Sequence, residues 1–160
     1  MIRKHDQIAP ILAVFCLLLL LSSCAPPSTG AAARAQIPTI APGTARVWFM
    51  RTTDPEEQFG DPIIFANGNA VGRSQPGIAF YRDFPPGNYA FTVQSYDVPN
   101  KYKDKVQLAP GTQTYLEVLW EGSWIVGAAG GSTFLVRTLS QQLGQAYLGM
   151  LTEVGPAQAF

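Results

Sequence analysis

Cysteine and histidine are the side chains best suited to covalent or metal chemistry near neutral pH. The 160-residue chain holds two cysteines and one histidine. They are His5, Cys16 and Cys24, so everything after Cys24 lacks both types. A Ser-His-Asp or Cys-His nucleophile needs an imidazole as its base, and a His-based zinc site needs one as a ligand. Both are excluded there. Carboxylates remain. Glu56, Glu57 and Asp61 could hold a cation through oxygen ligands, but their spacing matches no calcium loop, and a solvated acidic loop is the preferred reading. Asp83 beside Arg82 could be half of an acid pair for glycoside hydrolysis; an outward ion pair on a strand is preferred. The glycine-rich stretch 127–131 lacks the Gly-Lys-Ser/Thr ending of a phosphate loop and reads as a connection. No catalytic residue, metal ligand or cofactor site is assigned, and the chain reads as non-enzymatic.

The surroundings of Cys24 are more informative. Met1-Ile2-Arg3-Lys4-His5 is a short basic start, followed by an apolar run over 8–21. This is the pattern of a secretory signal over 1–23, too short for a comfortable membrane-spanning helix of about 20 apolar residues. It ends in Leu21-Ser22-Ser23-Cys24, an aliphatic residue, two small ones and a cysteine. This resembles the lipobox of bacterial lipoproteins. The resemblance implies cleavage between Ser23 and Cys24, a diacylglycerol on the Cys24 sulfur, and a third acyl chain, such as palmitate, on the freed amine. Each buried methylene contributes roughly 0.8 kcal/mol, and two or more chains anchor stably. Ala25, rather than aspartate, follows the cysteine. By resemblance to enterobacterial sorting, this implies a cell-envelope protein on the outer membrane, facing the periplasm.

Loss of the leader removes His5 and Cys16. Cys24 is then blocked by lipid, so the mature chain has no disulfide, although the compartment permits one. Nine basic and ten acidic residues follow Cys24. That balance supplies neither the basic patch that nucleic acid requires nor a polybasic lipid contact. Residues 24–44 comprise the lipidated cysteine and a small, Pro-rich tether, with a reach on the order of 60 Å at about 3.3 Å per residue.

The remaining elements must come from a domain over 45–152. Ala45-Arg46-Val47-Trp48-Phe49-Met50-Arg51 is aromatic and β-branched, as strands are. Residues 62–66 and 70–73 flank Asn67-Gly68, a strong hairpin signal because both residues accept positive φ. Strands are expected over 78–84, 89–95, 104–108, 112–121 and 134–139. Tyr89, Phe91 and Val93 alternate with Ala90, Thr92 and Gln94, the period of a half-buried strand. Pro86-Gly87 and Pro110-Gly111 occupy type II turn places. Leu139, Leu143, Ala146, Tyr147 and Met150 change to helical spacing over 139–151, with Ser140 as N-cap. Gly144 and Gly149 weaken that helix by up to about 1 kcal/mol each, so packing must hold it. Residues 153–160 are expected to be a disordered tail. Trp48 opposes Val47 and Phe49, while Tyr115 and Leu119 oppose Leu116, Val118 and Trp120, so both faces need cover. The expectation is a mostly β, Ig-like or transthyretin-like antiparallel sandwich of seven or eight strands. The C-terminal helix covers part of its outer face.

The first strand, Ile63-Ile64-Phe65-Ala66-Asn67-Gly68-Asn69-Ala70-Val71-Gly72, Phe84-Pro85-Pro86-Gly87-Asn88-Tyr89 and Ala109-Pro110-Gly111-Thr112-Gln113-Thr114-Tyr115-Leu116 together resemble an uncharacterised family of lipoprotein-associated β domains. That family is related in look to short surface-exposed modules with a Pro-Glu-Gly-Ala signature. The resemblance covers about 45–151 and implies an extracytoplasmic domain with no catalytic residues to carry over. The family usually has aspartate where Asn67 stands. Three partners are considered: the membrane through Cys24, an envelope protein, and peptidoglycan or another glycan. Exposed aromatics at Tyr81, Tyr96, Tyr102 and Trp124 are the candidate partner-binding residues. Trp124-Ile125-Val126 could also dip into a bilayer interface, though core packing is the commoner use of such residues. Labelled palmitate fed to expressing cells should load onto the wild-type chain and not onto Cys24→Ser. Equal labelling of both would refute the lipobox assignment.

Overall fold

Every residue of β1 (Ala45–Met50) is buried, on both faces of the strand. The computed structural model describes residues 37–53, 60–94, 103–122 and 132–157. The leader, Ser23, Cys24 and residues 25–36 of the tether lie outside the described residues. So do Glu56, Glu57, Tyr96, Tyr102, Trp124 and the 127–131 glycines.

β2 (Ile63–Ala66) and β3 (Asn69–Arg73) form the expected hairpin, with Asn67 at φ 48° and Gly68 at φ 82°. β4 (Ile78–Phe84), β5 (Gly87–Val93), β6 (Lys103–Leu108), β7 (Gln113–Gly122) and β8 (Ser132–Leu139) follow. Helix α1 (Gln141–Met150) and β9 (Glu153–Pro156) end the domain. The strands build a two-sheet sandwich. One sheet has the order β8-β7-β1-β4-β9 and the other β3-β2-β5-β6.

The mostly β sandwich with a helix near the C-terminus is as expected, and several details depart from the expectation. Nine strands are described, not seven or eight, and the sandwich is not purely antiparallel: β1 pairs parallel with β7, and β4 pairs parallel with β9. The segment expected to be a disordered tail from residue 153 instead supplies β9. Val154 is buried there, and the Ala157 amide donates to the Tyr81 carbonyl at 3.0 Å. The domain also starts earlier than residue 45. Ile37 packs against the outer face of the five-stranded sheet, and the chain turns at Ala41, whose carbonyl accepts from the Thr44 amide at 3.1 Å.

Pro110-Gly111 is a type II turn, with Gly111 at φ 74° and the Thr112 amide donating to the Ala109 carbonyl at 3.2 Å. Pro86-Gly87 is not, because Gly87 has φ 154° and already opens β5. Neither segment closes a hairpin. Each carries the chain from one sheet to the other, β4 to β5 and β6 to β7.

Alternation along β1 feeds two cores. Val47 and Phe49 point between the sheets, where Phe49 stacks on Phe80 at 5.1 Å and meets Phe91 edge-on at 5.5 Å. Trp48 and Met50 point outward into a second cluster with Ala79, Tyr81, Tyr115, Leu139, Leu148, Leu151 and Val154. α1 closes that second core. Ser140 caps it as expected, its hydroxyl accepting from the Leu143 amide at 3.3 Å. Gly144 lies flat on the Tyr115 ring, and a Cβ there would sit 2.3 Å from a ring carbon. The glycine that weakens the helix is the residue that lets it dock.

Overpacking typically costs about 1–3 kcal/mol, more than the roughly 1 kcal/mol that alanine gains over glycine in a helix. Gly144→Ala is therefore expected to lower the urea unfolding midpoint. A raised midpoint would mean that Tyr115 yields without cost.

Candidate functional site

Strand register assembles the outer face of the five-stranded sheet in rows. Arg46 pairs with Asp83 on one side and Gln113 on the other; Trp48 pairs with Tyr81 and Tyr115; Glu117 pairs with Arg137. In the first row the Arg46 guanidinium makes a two-pronged contact with Asp83, Nε to Oδ1 at 2.7 Å and the second nitrogen to Oδ2 at 2.8 Å. Its third nitrogen donates to the Pro38 carbonyl at 2.7 Å. The cation lies 3.9 Å above the Tyr81 ring. Beside it, Trp48 Nε1 donates to Gln113 Oε1 at 2.8 Å. A buried charge is tolerated only when its donors are matched, and Arg46, at 3% exposure, has carboxylate, carbonyl and ring around it. Its hydrogen bonds to Asp83 raise its pKa above the ordinary arginine range. Burial opposes that shift, while the Asp83 charge and Tyr81 add to it. The cation thus persists at any pH below that range. What this cluster does is fasten the entering chain at Pro38 to the sheet.

Two expectations are corrected here. Tyr81 is not an exposed partner contact: it is buried at 8% exposure, under Arg46 and edge-on to Trp48 at 5.0 Å. Arg82 and Asp83 are not an ion pair, because strand neighbours face opposite ways. Asp83 belongs to Arg46, and Arg82 Nε donates to the Val71 carbonyl at 2.5 Å across the sandwich. Asp61, from the proposed acidic loop, is exposed and accepts from Gln75 at 3.2 Å. The Arg46–Asp83 pair carries no local sequence signal, since 37 positions separate its members.

Surface chemistry lies on the other sheet. Tyr89 and Val106 turn toward the core, so Asn88, Lys105 and Gln107 turn outward, with Asn88 paired to Gln107 and Ala90 to Lys105. Together with Asn67 they line an open concavity of about 450 Å³. Asn67 is fixed by β5, its Oδ1 accepting from the Ala90 amide at 2.8 Å and its Nδ2 facing the Asn88 carbonyl at 3.4 Å. An aspartate there keeps the first contact and loses the second. The four side chains can donate and accept hydrogen bonds at neutral charge, apart from one lysine. Nothing in this set can act as a nucleophile with a matched base.

Of the aromatic residues expected to form a partner patch, Tyr81 alone is described, and it is interior. Ser23 and Cys24 are not described, so the anchor rests on sequence. No protein-family model matches this chain, and no curated protein matches it.

Removing one partner of a buried pair costs about 3–5 kcal/mol. Asp83 retains 24% side-chain exposure, which lowers the expectation for Asp83→Leu to about 2–3 kcal/mol. Adding Arg46→Leu should return part of that loss, because two matched apolar groups leave no stranded charge. Urea unfolding of the two variants gives the comparison. A double variant weaker than the single would show that the Pro38 and Tyr81 contacts outweigh the ion pair.

Proposed function

We propose that the chain is a lipid-anchored envelope module. It is held to the outer membrane through Cys24 on the periplasmic side and works without catalysis, by binding another envelope protein or bracing it. The tetrad Leu21-Ser22-Ser23-Cys24 behind an apolar run carries the anchor. The resemblance to lipoprotein-associated β domains supports the same reading. The described surface supports a binding role over a chemical one, because the buried Arg46 and Glu117 are each paired with an oppositely charged neighbour, Asp83 and Arg137. These pairs hold the fold.

A second reading is favoured by one observation, the concavity of Asn67, Asn88, Lys105 and Gln107. Amides and a lysine on an open sheet face suit the hydroxyl and acetamido groups of a glycan strand, and peptidoglycan is the glycan at hand in the periplasm. The two readings separate by experiment. Crosslinking in intact envelopes followed by mass spectrometry should recover one specific protein with the wild-type chain. Cosedimentation with purified sacculi, lost in Asn88→Ala/Gln107→Ala, would instead establish the glycan reading. Release of wall fragments by the purified chain would defeat the non-enzymatic premise of both.

A further inference from the structure

The apolar arc of α1 is wider than the sheet it covers. Gly144, Leu148 and Leu151 are buried against the sheet. Leu143 and Met150, seven residues apart, fall within about 20° of one another around the helix, on a different side. Leu143 is 39% and Met150 68% exposed, and they are the two exposed large apolar side chains among the described residues. Ala146, also exposed, fills the space between them one turn on. Half-buried Tyr147 joins this stripe to the buried side. Gln141, Gln142, Gln145 and Gly149 occupy the rest, so the helix carries no charge anywhere.

The position of the chain's entry gives this stripe an occupant. Ile37 packs on the same sheet face as α1, and Pro38 is fastened there by Arg46. Residues 25–36 therefore lead from that face to Cys24, a span of at most about 40 Å at about 3.3 Å per residue. A chain held that close to lipid meets it at high effective concentration, so a small contact suffices. A protein partner is the poorer fit. A stable interface buries about 800 Å² on each side, far beyond what two side chains and an alanine provide. A bilayer asks for no matching shape.

We propose that Leu143, Ala146 and Met150 rest on the bilayer that holds the acyl chains, laying α1 in the interface and turning the four-stranded sheet away from the membrane. This rests on the anchoring at Cys24 proposed above. The glutamines lie at headgroup level, and the absence of lysine and arginine from the helix makes the contact indifferent to anionic lipid, unlike the basic interfacial helices.

The test uses the full lipidated chain in phosphatidylethanolamine vesicles with and without phosphatidylglycerol. Cys16 leaves with the leader and Cys24 is a thioether, so Met150→Cys or Gln107→Cys accepts a single nitroxide. Intact mass first establishes the lipid. The label on α1 should then be several-fold more accessible to oxygen, which concentrates in the bilayer, than to a water-soluble nickel chelate. The label on β6 should show the reverse, and neither should change with phosphatidylglycerol. A lipidated chain whose α1 label is as open to nickel as the β6 label overturns the proposal. So does an α1 label shielded from both reagents, which would mean a protein covers the stripe. A chain without lipid mass overturns the anchor, and this inference with it.

Discussion

Strand β1 has no solvent side, and the rest of the domain is arranged around that constraint. Its two edges are taken by β4 and β7, and its six side chains are divided between two cores. The four-stranded sheet answers for Val47 and Phe49. Something else must answer for Trp48 and Met50, since leaving each exposed would forfeit roughly 1.5–3 kcal/mol. A domain's whole margin is about 5–15 kcal/mol, so the outer cover is part of the fold and not a decoration on it. α1, β9 and residues 37–44 provide it. Both ends of β1 add an arginine, one per face. Arg46 lies over Tyr81 outside, and Arg51, fully buried, donates to the Gly60 carbonyl at 2.7 Å and lies over the Phe134 ring inside.

Apolar packing between two sheets is strong but has no direction, so their relative placement needs hydrogen bonds, which do. The sandwich has one such bond system at each open side. Asp104 on β6 accepts from both the amide and the hydroxyl of Thr138 on β8, each at 2.6 Å. Arg82 on β4 reaches the Val71 carbonyl on β3. These links occupy backbone groups of edge strands, which would otherwise be templates for another chain. The lysines at 103 and 105 on β6 and Pro156 on β9 act to the same end at the sheet margins.

Elements whose residues declare themselves locally were legible in the sequence. β1, β5 and β7 carry aromatic and branched residues in alternation, Asn67-Gly68 states a hairpin, and Ser140 states a helix start. What was not legible depends on distant partners. Glu153-Val154-Gly155-Pro156 has three residues that strands avoid, and it is a strand because the edge of β4 and the outer core receive Val154. Residues 37–44 have a tether's composition. They dock because Arg46 holds the Pro38 carbonyl, and any residue offers a carbonyl. A Pro-Gly pair reads the same at a hairpin and at a corner between sheets; only the partner of the next strand distinguishes them. For Tyr81, composition gave the strand, but not the guanidinium and tryptophan that cover the ring. The same limit applies to the concavity. Asn67 was legible as a turn residue, whereas its neighbours Asn88, Lys105 and Gln107 come together through the β5–β6 register, which no short segment encodes.

Docking of residues 37–44 changes what a tether can do. A leash that joins a domain at a loose end leaves it free to rotate. Here the joint is clamped to the sheet by a buried arginine, next to the helix that closes the same face. The chain therefore enters the domain at a fixed point on one layer. The two faces of the sandwich then stop being equivalent. The layer that carries the uncharged helix is the one the entering chain joins, and the amide-lined sheet is the opposite layer. The Arg46–Asp83 pair, which looks like an ordinary structural contact, is in this sense what gives the domain a front and a back.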